Sequence, residues 1–305
     1  MIKSSFNYLY NQPYILLCLT TLFWAGNFVT SRTISAEFGA IPLAYIRWGI
    51  ALIILTPFAI KYVKADWALI KKHWIILSLL SATGITIFNT FVYIGLRDTT
   101  AINALLIQSL GPIIVFLWSF ILFRNKLRPT QMLAICISLL GVFYIVFKGQ
   151  IGNIINLNFN IGDIYIIVAI IFYSLYSALL RNKPNIHWLS FLYMTFLLGE
   201  IMLTPFLIWD LLTVGNHMFL NIHSISVMAY VAIFPAIIAY ICFNRAVALV
   251  GANVSASFFH LIPVFGTILA IIFINETLQT FHIIGFSLVI TGIYIGSRKQ
   301  NAITS

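Results

Sequence analysis

The sequence predicts an all-α integral membrane protein of ten transmembrane helices, arranged as two inverted five-helix repeats. Three observations carry that prediction. Of 305 residues, 61% are hydrophobic and only 8% are charged, whereas a soluble domain carries about a quarter charged residues. The apolar residues form long blocks separated by short charged stretches, and a helix needs about 20 such residues to cross a hydrocarbon core of about 30 Å. The second half of the chain also repeats the first.

Lipid offers the backbone no hydrogen-bond partner, so a spanning block must be a helix or part of a closed barrel. Barrel strands would alternate over segments of about ten residues, and these blocks do not alternate. The expected spans are 13–31, 41–60, 74–96, 101–123, 130–147, 163–180, 188–209, 225–248, 252–274 and 281–297. The first block follows only Lys3 and has no small-residue cleavage site, so it reads as a span and not as a removable signal peptide. The connections are short and leave no room for a soluble domain. Cys18, Cys136 and Cys242 all fall within spans, without CxxC or metal-ligand spacing, and read as small apolar residues. No metal and no cofactor are expected.

The net charge is +10. In a soluble chain that would suggest nucleic acid; here the cations sit in short loops and report topology, so no nucleic-acid partner is expected. Ten spans put both termini on one side. Thirteen Lys and Arg residues share that side: Lys3, Lys61, Lys64, Lys71, Lys72, Arg124, Lys126, Arg128, Arg181, Lys183, Arg245, Arg298 and Lys299. Only Arg32, Arg97 and Lys148 lie opposite. The bias predicts cytoplasmic termini.

The repeat is read by sliding one half over the other. At 151 positions Pro112 meets Pro263, Gly141 meets Gly292, Ala101 meets Ala252 and Leu127 meets Leu278. Nearer the start, a slide of 149 pairs Trp24 with Tyr173, and a slide of 148 pairs Thr56-Pro57 with Thr204-Pro205. The division falls at 1–150 and 151–305. Each copy holds an odd number of spans, so the second enters the membrane from the opposite side, an arrangement found in many secondary transporters with a site near the midplane between the copies.

Ionisable residues inside spans are the strongest pointers to function, because a central charge costs about 2.5–3.5 kcal/mol on insertion scales. Arg47 and Glu200 qualify. Arg47 reads as an anchor for an anionic substrate group or a partner for a carboxylate, against the alternatives of snorkelling to the interface or linking helices. Glu200 reads as a proton-coupling carboxylate, against a neutral acid hydrogen-bonded to a neighbouring helix.

Polar and aromatic residues recur at helical spacing. Trp24 and Asn27 share a face, as do Tyr173 and Tyr176 at the equivalent place. Asn89 and Tyr93 are four apart, and 151 residues on stand Tyr240 and Asn244, the same two residue types in reversed order. These faces are expected to line a shared central cavity; the structural alternative is interhelical hydrogen bonding, worth about 0.6 kcal/mol per bond. Gln108 precedes Pro112, and His260 precedes Pro263, where a proline frees a carbonyl and permits a broken helix. Glu276 sits in a loop, where a carboxylate would brace the start of the last helix.

The motifs Leu22-Phe23-Trp24-Ala25-Gly26-Asn27, Pro42 with Ile46-Arg47-Trp48, Gly111-Pro112, Gly162-Asp163, Leu261-Ile262-Pro263-Val264 and Asn275-Glu276-Thr277-Leu278 resemble the drug/metabolite transporter superfamily, in its EamA-type ten-helix branch. Asn125 and Ala134 depart from the pattern in the first copy, where glutamate and glycine are usual. The resemblance implies a carrier of small metabolites or amphiphilic compounds, amino acids being one expectation, working by alternating access as an exporter across a bacterial inner membrane. A proton gradient is the expected drive. The chain is expected to act as a monomer or homodimer in the lipid bilayer on a small-molecule substrate. A sugar phosphate would want more cations than Arg47 and Arg245 provide. The competing classes are an intramembrane enzyme, for which no HExxH, GxSxG or Walker A motif appears, and a channel, which would want a continuous polar stripe or a charged ring.

Overall fold

The computed structural model describes residues 8–99, 101–126, 128–150, 152, 159–213, 221–274 and 277–297. Among them every regular element is a helix. Ten helices follow the expected order. Helix α1 (Pro13–Phe38) opens on a proline, which suits a first turn whose N–H needs no helical partner. Helix α2 is Ala40–Ala65, and a short helix, Trp67–Lys72, leads to α3, Trp74–Asp98. Helix α4 comes in two pieces, Ala101–Gln108 and Gly111–Phe123, and α5 is Pro129–Val146. In the second half α6 is Ile161–Leu179, α7 Trp188–Thr213 and α8 Ile222–Val250. Helix α9 is Ala252–Ser257 continued through Phe258–His260 into Leu261–Ile274, and α10 is Thr280–Ser297.

Nine of these are long and apolar enough to cross a membrane; α1 adds a shorter apolar stretch, Pro13–Phe28. Helix α1 runs past its expected end at 31, and α2 and α7 also extend beyond the sequence-based bounds. Gly39, at φ 71°, turns the chain between α1 and α2, and Gly251, at φ 81°, does so between α8 and α9, a region of backbone space that favours glycine. Glu276 lies outside the described residues.

Packing follows the repeat. The most extensive partnerships are α5 with α10, α2 with α7, α3 with α6, and α1 with α8; α4 with α6, α3 with α7 and α1 with α9 come next. Exchanging the two copies turns α1–α8 into α6–α3 and α1–α9 into α6–α4, while α2–α7 and α5–α10 map onto themselves. At the α5–α10 crossing a Cβ on Gly141 would stand 2.7 Å from the Gly285 carbonyl oxygen, and one on Gly292 would stand 2.6 Å from the Ala134 carbonyl oxygen. The 151-residue slide converts Gly141 into Gly292 and Ala134 into Gly285, so the same two positions make the crossing twice. Small residues let membrane helices approach backbone to backbone, and dispersion replaces the missing hydrophobic drive.

The breaks in the helices are paired too. Helix α3 contains a π-helical segment, Ala82–Ile87, and α8 contains one at Ala232–Ile238. Pro235 explains the second, since it removes a helical N–H and pushes its ring at the preceding turn. Its counterpart is Gly84, whose missing Cβ admits the Tyr176 ring at 2.4 Å from where that atom would be. Different chemistry thus interrupts the two helices at the same register. Helices α4 and α9 break just before Pro112 and Pro263, as the prolines predict.

At one end Asp163 ties the copies together. It forms a capping box with Asn160 at the start of α6, accepts a hydrogen bond from the Thr99 hydroxyl, and accepts from Asn103 Nδ2 at 3.0 Å. At the opposite end Asp66 Oδ2 accepts from the His187 backbone N–H at 2.9 Å, joining the α2–α3 and α6–α7 connections.

A candidate solute site around Arg47

Arg47 is 1% exposed, so its guanidinium does not snorkel. Nη1 donates to Asn89 Oδ1 at 2.9 Å and to the Tyr93 hydroxyl at 2.8 Å. The Tyr93 hydroxyl in turn donates to Asn27 Oδ1 at 3.4 Å. Helices α1, α2 and α3 therefore converge on one cation. No carboxylate among the described residues pairs with it; its charge is offset by neutral oxygens and by the Trp48 ring, 4.7 Å from the guanidinium carbon.

A shell of rings surrounds this centre. Trp24 meets Tyr173 edge-on at 5.3 Å and Tyr240 at 6.1 Å. Tyr173 lies 5.4 Å from Tyr176, and Tyr176 6.0 Å from Tyr240. Trp48 touches Tyr240 at 5.5 Å and Phe196 at 4.6 Å. The predicted pairs Trp24/Asn27, Asn89/Tyr93, Tyr173/Tyr176 and Tyr240/Asn244 thus come together, from helices α1, α3, α6 and α8. All eight residues are buried.

The π segments supply acceptors to this shell. The Tyr240 hydroxyl donates to the Gly84 carbonyl at 2.5 Å, and Trp24 Nε1 donates to the Pro235 carbonyl at 3.2 Å. Gly84 and Pro235 are repeat equivalents, so each copy's π segment is held by an aromatic donor from the other copy. Asn89 Nδ2 adds a bond to the Ile85 carbonyl at 3.2 Å. In this shell Arg47 Nε, Trp48 Nε1 and the Tyr173 hydroxyl are buried donors with no partner among the described residues.

Among the described residues, Glu200, His260 and Gln108 make no hydrogen bond to this centre. Glu200 is buried between α7 and α2, with Oε1 near Gly49, where a Cβ would be 3.3 Å away, and with Oε2 unpartnered. His260 Nε2 lies 2.8 Å from the Ser109 carbonyl and Nδ1 2.5 Å from the Ser138 hydroxyl. A carbonyl only accepts, so Nε2 carries a proton. Ser109 is the 151-residue counterpart of His260, which puts the ring between equivalent points of α4 and α9. That arrangement makes His260 a packed hydrogen-bonder. Gln108 is buried with Oε1 unpartnered.

Two cavities open at the end that carries most of the cations. One of about 280 Å³ is lined by Lys183, Asn244, Arg245, Tyr10 and Trp188 among others; one of about 660 Å³ shares Lys183 and adds Arg181, Asn125, Gln131 and Asn253. Among the described residues, neither is lined by an Asp or Glu. Burial and the nearby Arg245 guanidinium push the Lys183 ammonium below its usual pKa. Asn244 forms part of the inner wall, and its Oδ1 accepts from the Tyr176 hydroxyl at 2.6 Å, so the cavity abuts the aromatic shell.

Sequence reasoning missed Trp48, Asp163 and Ser138 as contributors. Trp48 had a usable signal: 148 residues on stands Phe196, aromatic in both copies, and the two rings touch. Asp163 had only the local signal of a capping box with Asn160, three residues upstream, and Ser138 had none, because Thr99, Asn103 and His260 lie on helices distant in sequence.

Comparison with known proteins agrees with this architecture. The EamA-like transporter family matches residues 11–147 and again 160–298, one match per copy. An uncharacterized transporter of Archaeoglobus fulgidus is 27% identical over 297 residues, covering 95% of this chain and 99% of that protein. The uncharacterized transporter YyaM of Bacillus subtilis is 26% identical over 289 residues, covering 93% of each. A crystal structure aligns with a TM-score of 0.74 over 96% of this chain and 99% of its own, at 15% identity, which supports the fold. These relatives are named as transporters and not as enzymes. With both copies matched along nearly the whole chain, this multi-pass membrane protein belongs to the EamA-like transporter family.

Proposed function

We propose that the chain is a secondary carrier that moves a small organic solute by alternating access, exporting it across the cytoplasmic membrane with both termini inside. One observation carries the reading. The helix partnerships and the helix breaks exchange with one another when the two copies are swapped. Two inverted copies of one unit can each adopt the conformation of the other, which gives two access states of equal kind around a fixed centre. The centre is the Arg47 cluster. The thirteen-to-three split of Lys and Arg supports the orientation.

Glu200 is the proposed proton-coupling group. It is a buried carboxyl with an unpartnered oxygen, at the contact between the self-equivalent helices α2 and α7, and intramembrane acids commonly relay protons. Proteoliposomes loaded with a metabolite panel test the reading: saturable efflux that accelerates under an imposed pH gradient is expected. Flux rising linearly with concentration would indicate a channel. With Glu200→Gln the dependence on the pH gradient should vanish while solute counterflow persists; an unchanged dependence removes Glu200 from the coupling.

A further inference from the structure

The centre and its approach share one electrostatic character. Arg47 is a buried cation whose described partners are neutral, and a desolvated charge without a counterion is costly. Three donors in the same shell lack acceptors: Arg47 Nε, Trp48 Nε1 and the Tyr173 hydroxyl. The 280 Å³ cavity next to that shell presents Lys183 and Arg245 and no acid. Among the described residues, this line carries three cations, Arg47, Lys183 and Arg245, and no carboxylate.

We propose that the solute is an organic anion, a monocarboxylate on an apolar or aromatic body, which enters or leaves through the Lys183–Arg245 cavity and is held centrally by Arg47. The inference rests on the carrier reading above. A carboxylate supplies a charge and acceptor lone pairs for the guanidinium, which recognises it bidentately. The rings of Trp24, Trp48, Tyr173 and Tyr240 suit an apolar body. A zwitterion is disfavoured because its ammonium would need a carboxylate. Glu200 faces Gly49, and two residues along a helix is about 200° of rotation from Arg47, so it stands on the other side of α2. A phosphate ester would want further cations at the centre. Between mouth and centre stands the Tyr176–Asn244 hydrogen bond, which must part for passage.

The test compares three probes of matched shape: 3-phenylpropionate, its neutral amide, and L-phenylalanine. Each is titrated at neutral pH against the protein in lipid nanodiscs, read by tryptophan fluorescence and calorimetry, with counterflow measured in parallel. The carboxylate should bind at least about tenfold more tightly than the amide, the difference expected of a charge-assisted bond, and more tightly than the amino acid. Arg47→Gln should erase the preference, and Arg47→Lys should restore part of it. Lys183→Gln should slow carboxylate counterflow alone, through lost steering. Equal binding of acid and amide, a preference for the zwitterion, or a preference that survives in a folded Arg47→Gln protein would overturn the inference. Counterflow of neutral or zwitterionic solutes without the carboxylate would sink this inference and leave the carrier standing. If the carboxylate binds as expected and no solute exchanges, the carrier reading fails instead.

Discussion

Replacing Asn89 with leucine tests whether the Arg47 cluster is held as the distances indicate. Asn89 Oδ1 accepts from Arg47 Nη1 at 2.9 Å, and Tyr93 is the guanidinium's other described hydrogen-bond partner. A hydrogen bond to a charged group is worth about 1.5–3 kcal/mol, and Asn89→Leu leaves the cation buried with one acceptor. We expect that full loss of stability in SDS-induced unfolding of the protein in mixed micelles. Arg47→Met removes those bonds but also removes a charge that costs about 2.5–3.5 kcal/mol in a membrane interior, so its net effect should be near zero. Adding Arg47→Met to Asn89→Leu should therefore restore about 1.5–3 kcal/mol of what Asn89→Leu removed, because no cation remains to be orphaned. A double variant as unstable as the sum of its parts would refute the reasoning and would mean that Asn89 acts through α3 and not through Arg47.

The α5–α10 crossing offers a second test: Gly141→Ala and Gly292→Ala should each cost about 1–3 kcal/mol through overpacking, and similar amounts, since equivalent carbonyls block both. Gly266→Ala, with nothing within 4 Å of the added carbon, is the control and should be neutral or slightly stabilising. Asp163→Ala should lose about 2–4 kcal/mol, combining the capping-box bond that its carboxylate accepts from the Asn160 backbone N–H with those accepted from Thr99 and Asn103, and hydrogen exchange should rise at the start of α6. His187 should make stability depend on pH. Burial, opposed in part by Asp66, holds its pKa below the usual 6.5, and Nδ1 accepts from the Leu189 N–H at 3.3 Å. The folded state therefore binds fewer protons than the unfolded, so stability is present above about pH 6.5 and falls on acidification. Melting curves should show that loss in the wild type, and a smaller one in His187→Phe, which keeps the ring stacked on Tyr62.

How far the sequence reaches can be judged residue by residue. The prolines at 112 and 263 announced the breaks in α4 and α9, because a missing N–H acts locally. The π segment in α3 carries no such mark: Gly84 is ordinary in a membrane helix, and only the Tyr176 ring pressed against it shows why glycine stands there. The polar faces of α1, α3, α6 and α8 were visible as spacing, since a helix fixes which residues share a side. Their hydrogen-bond partners were not.

Length, hydropathy and the internal register by themselves determined a ten-helix membrane protein in two copies. Lipid forces the backbone of each apolar block to close its own hydrogen bonds, so each block becomes a helix wherever it packs. Only the tertiary structure decided that Arg47 meets Asn89 and Tyr93 and that Glu200 stands away from it against Gly49. It also showed that the two π-segment carbonyls are held from across the repeat boundary. Those contacts depend on which helices cross and at what rotation. Between membrane helices that choice rests on small-residue clearances and side-chain shape, which no single span's sequence contains.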